Sequence, residues 1–181
     1  MEKKKGHMDE RLVKGAIVNG YLAFIKEKWG VLGLNSAMKY ADIEKQPKDG
    51  EWISLSKTYM ILEWIEKNHG REHVVEAGKW MIRGMGGDFR FLFASVMGFE
   101  RMLEKVKNNI SSLLFKGNGV EINKEGNEAT IRLKGFKIGE MSCLSWKGAL
   151  MGVMEVTKTK GEVKVLDSGN DEDCLIKAKW E

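Results

Sequence analysis

Side chains of the kinds that bind metals or act in catalysis are few in this sequence. His69 and His73 stand four positions apart, the spacing at which two side chains on one helical turn can share a metal ion. However, Gly70 between them favours a break between two helices, and no third ligand is close in sequence. We therefore interpret both as surface histidines. Phosphate-loop, zinc-protease and hydrolase motifs are also missing from the sequence, and we predict that the chain is not an enzyme.

The two cysteines, Cys143 and Cys174, are far apart and match no metal or redox spacing. We expect reduced thiols and a cytoplasmic protein, because disulfides are rare in the cytosol. No apolar run approaches the ~20 residues that cross a bilayer, so we predict no membrane span. The net charge is +4. Part of it lies in the predicted flexible tail, residues 1–11, and we predict no nucleic-acid partner.

Methionine and tryptophan are abundant, with 11 and 6 residues respectively. Many fall on the predicted apolar faces of helices, for example Met102, Trp64 and Trp146. Methionine side chains adapt to irregular gaps and to varied apolar ligands. The set can line a ligand cavity or simply fill a core, and composition alone favours a plain core.

The elements that would position these side chains begin as helices. Apolar residues at helical spacing predict helices from Leu12 to Trp29, from Leu34 to Tyr40, from Ser54 or Ser56 to Asn68, and from Arg71 to Met85. After Gly117 the period changes to two, which predicts strands around Val120 and Ile131 with a turn between them. Ser145 to Val156 is predicted as a helix, and further strands follow around Val163 and Ile176. This order indicates an α+β fold in which one helix is inserted into an antiparallel sheet of about four strands.

A longer stretch, from Asp88 to Phe115, is predicted as the central helix. Its apolar residues alternate in steps of four and three, which places them on one stripe. They are Leu92, Val96, Phe99, Leu103, Val106, Ile110 and Leu113. With 181 residues we expect one domain over 12–181, divided into a helical lobe (12–87), this central helix (88–116) and a sheet lobe (117–181).

Two short motifs resemble heme nitric oxide/oxygen-binding (H-NOX) domains. The segment from Val13-Lys14-Gly15 through a helix to Trp29-Gly30 is similar to the opening of that family. The segment Leu150-Met151-Gly152-Val153-Met154-Glu155 is similar to its C-terminal helix, and the element order agrees over essentially the whole chain. The same superfamily includes 4-vinyl-reductase-type hydrocarbon-binding domains, which the segment from Cys143 to Trp180 also resembles, and trafficking subunits. The resemblance implies an H-NOX-like fold.

The heme machinery of that family has no counterpart at two places. The family's central helix supplies a histidine to the iron, and Leu103 aligns with it. The family's Tyr-x-Ser-x-Arg motif, which holds the heme propionates, aligns with Glu140 to Leu144, where only Ser142 matches. Burying carboxylates without a cation is unfavourable. We therefore predict that heme is absent and that the chain has no cofactor and no metal site.

The functional expectation is a heme-independent sensory domain that holds a small apolar or amphiphilic molecule between its lobes. The predicted pocket residues are Met97, Phe99, Met102, Leu103, Cys143 and Trp146. We expect a small hydrophobic ligand, and a signalling protein or a second copy of the chain as partner. The alternative is a protein–protein interaction module of the trafficking-subunit type, with a filled core and no ligand.

Overall fold

Helices come first and strands dominate the second half of this chain, as the change of period predicts. The computed structural model describes residues 11–84, 98–105, 111–137, 139–167, 169 and 172–181. The fold is α+β, as predicted. In chain order the described elements are β1 (Leu12–Lys14), α1 (Gly15–Tyr40), β2 (Trp52–Ser54), α2 (Leu55–His69), α3 (Arg71–Gly84), α4 (Phe99–Lys105), α5 (Ser111–Leu114), β3 (Phe115–Lys116), β4 (Gly119–Glu125), β5 (Glu128–Lys134), α6 (Glu140–Val156), β6 (Gly161–Leu166) and β7 (Cys174–Trp180).

The four-stranded antiparallel sheet has the strand order β4-β5-β7-β6, and α6 is inserted between β5 and β6. Ile131 of β5 pairs with Ile122 of β4 on one side and Ile176 of β7 on the other. Alternate residues of β5 and β7 are buried, which is the period-two pattern of a sheet with one face on the core. The predicted sheet and its inserted helix are therefore confirmed.

A second, three-stranded sheet with the order β2-β1-β3 was not predicted. Leu12 to Lys14 form its central strand, although the sequence pattern places them in the first helix. Val13 pairs with Ile53 of β2 and Phe115 of β3. Strands of two or three residues are stabilised by their distant partners, so the local period does not reveal them.

Helix α1 is longer than predicted, because it continues past Gly30 to Tyr40 with a kink. Gly30 has a φ of 71°, a left-handed conformation that suits glycine. The helix therefore changes direction at Gly30, where the sequence predicted that it would end. Both of the predicted helices on either side of Gly30 are present. The predicted helices over α2 and α3 are also confirmed, within one or two residues at each end.

The predicted central helix is only partly described. Phe99–Lys105 and Ser111–Leu114 are helical. Residues 85–97, which include the predicted start at Asp88, and residues 106–110 lie outside the described residues. The prediction is wrong at its C-terminal end, since Phe115 begins β3 and pairs with β1. Leu113, assigned to the buried stripe, is 54% exposed. The predicted flexible tail lies outside the described residues, except for Arg11.

The start of α6 is attached to the sheet by a disulfide between Cys143 and Cys174, whose Cα atoms are 5.4 Å apart. Asp173, next to Cys174, accepts hydrogen bonds from the Arg132 side chain and from the backbone N–H of Gly135, each at 3.1 Å. The prediction of two reduced thiols is therefore wrong. The pairing comes from the topology, which brings the first turn of α6 to the beginning of β7, and sequence spacing does not reveal it.

Candidate functional site

An apolar cavity of about 90 Å³ lies between helices α1, α2 and α3 on one side and α6 with β3 on the other. Its wall is mostly aliphatic and aromatic, with a few hydroxyl groups. The lining residues are Ile17, Tyr21, Leu55, Thr58, Tyr59, Leu62, Met81, Ile82, Leu114, Phe115, Phe136, Ser142, Ser145, Trp146, Ala149, Leu150 and Val153. A concave apolar surface with a few convergent polar groups is the usual form of a small-molecule site.

The close crossing of α3 and α6 fixes one side of the cavity. A Cβ atom at Gly78 would overlap the carbonyl oxygen of Ser145, and one at Gly148 would overlap the carbonyl oxygen of Val75. Glycine at both positions therefore allows the two backbones to touch. A salt bridge between Lys79 and Glu155, 3.0 Å long, spans the same helices at the surface. The crossing holds the backbone of Ser145 in a defined place beside the cavity.

Tyr21 and Ser145 form a hydrogen-bonded pair in the wall. The Tyr21 Oη and Ser145 Oγ atoms are 2.6 Å apart and join α1 to α6. Both side chains are buried, and burial raises the pKa of Tyr21 to about 12, although the hydrogen bond with Ser145 acts in the opposite direction. The phenol is therefore neutral at physiological pH, and its polar atom already has a partner.

Thr58 differs from this pair, because its hydroxyl group is buried without a partner. The side chain lies on α2 between Leu55 and Leu62 on the apolar face of the helix, and it is 7% exposed. Its Oγ1 atom makes no hydrogen bond within the part of the chain that the structure describes. Threonine in a helix commonly bonds to the carbonyl four residues earlier, but Thr58 does not. The cavity wall therefore contains an unsatisfied hydroxyl group.

Three aromatic rings close the β3 side of the cavity. The ring centroids of Phe115 and Phe136 are 4.7 Å apart, and those of Phe136 and Trp146 are 5.0 Å apart, both with edge-to-face geometry. Edge-to-face pairs add modest stability beyond the burial of their area. Trp146 belongs to the predicted pocket, and its side chain is among those that line this cavity.

The other predicted pocket residues that the structure describes are not among the residues that line this cavity. Phe99 packs edge-to-face on Trp180 of β7 with centroids 5.2 Å apart, and Met102 and Leu103 beside it are buried in the core. Cys143 is buried in its disulfide. Met97 lies outside the described residues. The stripe of α4 therefore fills the core on the sheet side, whereas the cavity lies on the helical side.

The two histidines pack among aromatic side chains. His69 stacks on Trp29, with centroids 3.7 Å apart and an interplanar angle of 5°, and His73 Nδ1 lies 3.0 Å from Glu76 Oε2. Burial, and secondarily the charge of His73, lowers the pKa of His69. Within the described ranges, no three histidine, cysteine, aspartate or glutamate side chains come together as metal ligands would.

The hydroxyl-bearing residues of the cavity were not among the predicted site residues; they are Tyr21, Thr58, Tyr59, Ser142 and Ser145. One signal was present, since Thr58 interrupts the spacing of Leu55 and Leu62 on an otherwise apolar helical face. Ser142 fell before the predicted start of its helix at Ser145. The structure begins that helix at Glu140 and buries both serines.

Comparison with solved structures finds similar folds at low sequence identity. An oxygen-binding H-NOX domain related to soluble guanylate cyclases, in its oxygen complex, superimposes with a TM-score of 0.73 and 14% identity over 93% of this chain and 95% of that chain. An H-NOX protein from S. oneidensis in the Fe(II) ligation state superimposes with a TM-score of 0.73 and 13% identity, over 93% of this chain and 96% of that chain. A structure from work on heme distortion in the H-NOX family superimposes with a TM-score of 0.72 and 15% identity, over 93% of this chain and 95% of that chain.

Searches with protein-family profiles and among curated proteins found no match. No helix in the described ranges is long and apolar enough to cross a membrane.

The structural neighbours contradict our prediction that the chain has no cofactor, because they are described with Fe(II), with oxygen and with heme. That prediction rested on Leu103 and on the unmatched positions between Glu140 and Leu144. Heme iron also accepts tyrosine or methionine as a ligand, so the lack of a histidine at one position does not exclude the group. The fold prediction, in contrast, is confirmed: the chain has the H-NOX fold.

Proposed function

We propose that this chain is a sensory ligand-binding domain whose ligand occupies the cavity between α1–α3 and α6. The observation that carries the proposal is the cavity itself, which combines an apolar wall with buried hydroxyl groups. A molecule with an apolar body and a polar edge matches this lining. Because the wall is built from α1, α2, α3 and α6, a ligand there contacts both the helical lobe and the helix that is tied to the sheet.

The structural neighbours make heme one candidate for the ligand. The aromatic and aliphatic wall suits the apolar faces of a porphyrin, and Tyr21, Tyr59 and Met81 supply oxygen and sulfur atoms of the kinds that ligate heme iron. The present volume of about 90 Å³ is smaller than the ~300–1,000 Å³ typical of pockets for larger ligands. Heme uptake would therefore require the helices around the cavity to separate, whereas a smaller amphiphile would require less movement.

The cavity also bears on the alternative of an interaction module with a filled core. Protein interiors are packed with few voids larger than a water molecule. A space of about 90 Å³, lined by a threonine whose hydroxyl group has no partner, supports ligand binding more than it supports a filled core. We expect a protein partner to respond to the ligand and not to replace it.

The proposal is tested by native mass spectrometry of the gently purified protein, together with hemin titration followed by absorbance. We expect either an additional mass that is lost on denaturation or saturable hemin uptake at one equivalent. Ala149 lines the cavity, so Ala149→Phe places a ring in it and should weaken binding at least tenfold.

Ala23→Phe is the matched control, because Ala23 is exposed on α1 and the substitution adds the same ring outside the cavity. Binding should be unchanged in this variant. The proposal fails if the wild-type protein retains no molecule and takes up no hemin. It also fails if Ala149→Phe, when folded, binds as well as Ala23→Phe.

A further inference from the structure

Thr58 provides a means of inferring the chemistry of the ligand, and this inference rests on the proposed function. Thr58 lines the cavity and is more than nine-tenths buried, and its Oγ1 atom, itself inaccessible to water, has no hydrogen-bond partner among the described residues. A buried hydroxyl without a partner is destabilising, whereas a hydrogen bond restores most of what desolvation costs. A ligand atom that bonds to Thr58 would satisfy this group.

The hydroxyl groups of Tyr21 and Ser145 differ from that of Thr58, because they already have a hydrogen-bond partner. Tyr21 and Ser145 are already bonded to each other, so a ligand would have to compete with that bond. Thr58 bonds to a ligand without such competition. A polar ligand atom therefore gains more at Thr58 than at the Tyr21–Ser145 pair.

The charge of that ligand atom follows from the wall around it. None of the described residues that line the cavity is a lysine, arginine, histidine, aspartate or glutamate. The nearest acidic residue along α2, Glu63, is engaged at the surface with Tyr40 and Lys67. A carboxylate or ammonium group placed at Thr58 would be buried without a counter-charge, which is strongly unfavourable.

We propose that Thr58 selects a ligand whose innermost group is neutral and forms hydrogen bonds, such as a carbonyl or an alcohol, attached to an apolar body. Thr58 can donate to a carbonyl oxygen, or donate to and accept from an alcohol. The rest of the ligand lies against aliphatic and aromatic side chains. Selection for this polar group depends on one hydroxyl group of the protein and not on a charge.

Three small probes of nearly equal shape separate the contributions of polarity and charge. Butan-2-one carries a neutral carbonyl group. In 2-methylbut-1-ene a CH₂ group replaces the carbonyl oxygen, and in propanoate a charged oxygen replaces the methyl group on the carbonyl carbon. Binding is measured by titration while methyl NMR signals of Ile17, Leu62 and Leu150 in the wall are followed. We expect the ketone to bind at least tenfold more tightly than the alkene, and propanoate to cause no saturable shift.

Thr58→Val keeps the shape of the side chain and removes the hydroxyl group, so the preference for ketone over alkene should disappear. Thr58→Ser keeps the hydroxyl group and should retain the preference. Thr130→Val, on β5 of the sheet, controls for the substitution itself.

The inference is overturned if Thr58→Val keeps the preference, if propanoate binds as tightly as the ketone, or if ketone and alkene bind equally to the wild-type protein. In each of these cases the cavity still takes ligands and the proposed function stands. If none of the probes shifts the methyl signals, and no copurified molecule or hemin is bound, then both the inference and the proposed function fail.

Discussion

The sheet side and the helical side of this fold bury their side chains differently. On the sheet side, Phe99 packs on Trp180, and the buried Asp173 has hydrogen-bond partners. On the helical side, a cavity remains between α1–α3 and α6, and Thr58 lacks a partner. Phe99 and Leu103, from the apolar stripe with the strongest sequence signal, are buried and belong to the filled side. The proposed ligand site is the place where a cavity and a buried hydroxyl group without a partner occur together.

The largest expected effect of a single substitution is on the filled side. Phe99→Ala should lower the free energy of unfolding by about 3–5 kcal/mol, because it removes a buried ring and leaves a void. Leu113→Ala, at an exposed position on the same predicted stripe, should change it by less than about 0.5 kcal/mol. Urea denaturation measures both. Equal losses would contradict the contrast between a buried Phe99 and an exposed Leu113.

Reduction of the disulfide should have the next largest effect. Cys143 and Cys174 are 31 residues apart, and closing a loop of this size stabilises a folded chain by roughly 3–4 kcal/mol in the chain-entropy model. We expect a lower urea midpoint after treatment with dithiothreitol, and the same midpoint without reductant for the Cys143→Ala/Cys174→Ala variant as for the reduced protein. Two reactive thiols in the denatured, non-reduced protein would contradict the assignment of the disulfide.

A smaller effect is expected at the hydrogen-bonded pair in the cavity wall. Tyr21→Phe leaves Ser145 Oγ without its partner and should cost about 1–2 kcal/mol at neutral pH. Burial raises the pKa of Tyr21 to about 12, from the ordinary tyrosine value of 10.0. The unfolded chain therefore loses the phenol proton at lower pH than the folded chain does. The contribution of Tyr21 to the free energy of unfolding is therefore present below pH 10 and is lost as the pH rises toward 12.

The stability difference between the wild-type protein and Tyr21→Phe should therefore shrink between pH 10 and 12, as measured by urea denaturation at each pH. Combining Tyr21→Phe with Ser145→Ala should cost less than the sum of the two single substitutions, because both remove one shared hydrogen bond. Additive losses, or a difference that grows with pH, would contradict this arrangement.

The smallest expected effect has the opposite sign. In the ligand-free protein, Thr58→Val should raise the free energy of unfolding by about 1 kcal/mol, because it removes a buried hydroxyl group that has no partner. Thr130→Val on β5 should change it by less than about 0.5 kcal/mol. Thermal unfolding of ligand-free samples measures both. Destabilisation by Thr58→Val would mean that the hydroxyl group has a partner in the folded protein.

Much of this fold could be predicted from periodicity. The period-two pattern around Ile131 and Ile176 predicted the sheet, and helical spacing predicted α2 and α3. The short strands could not be predicted in this way: Val13 and Phe115 continue helical patterns locally, but they pair with each other across the fold. Whether a residue becomes a strand is decided there by a distant partner.

The site was less predictable than the fold. Trp146 was identified through its place on an apolar helical face, whereas Phe99, Met102 and Leu103 share the same kind of pattern and fill the core. An apolar stripe reports that a face is buried, not whether its surroundings are filled. The residue with the clearest anomaly was Thr58, a hydroxyl group on the apolar face of α2, and polar residues at such positions are informative because burial without a partner is costly.

A crystal structure of the protein grown with butan-2-one tests the central claim most directly. We predict electron density for the ketone inside the cavity, with its oxygen about 2.7–2.8 Å from Thr58 Oγ1, the usual distance between hydroxyl and carbonyl oxygens. A cavity closed by its own side chains, with Thr58 bonded to the carbonyl oxygen of Ser54, would contradict the account.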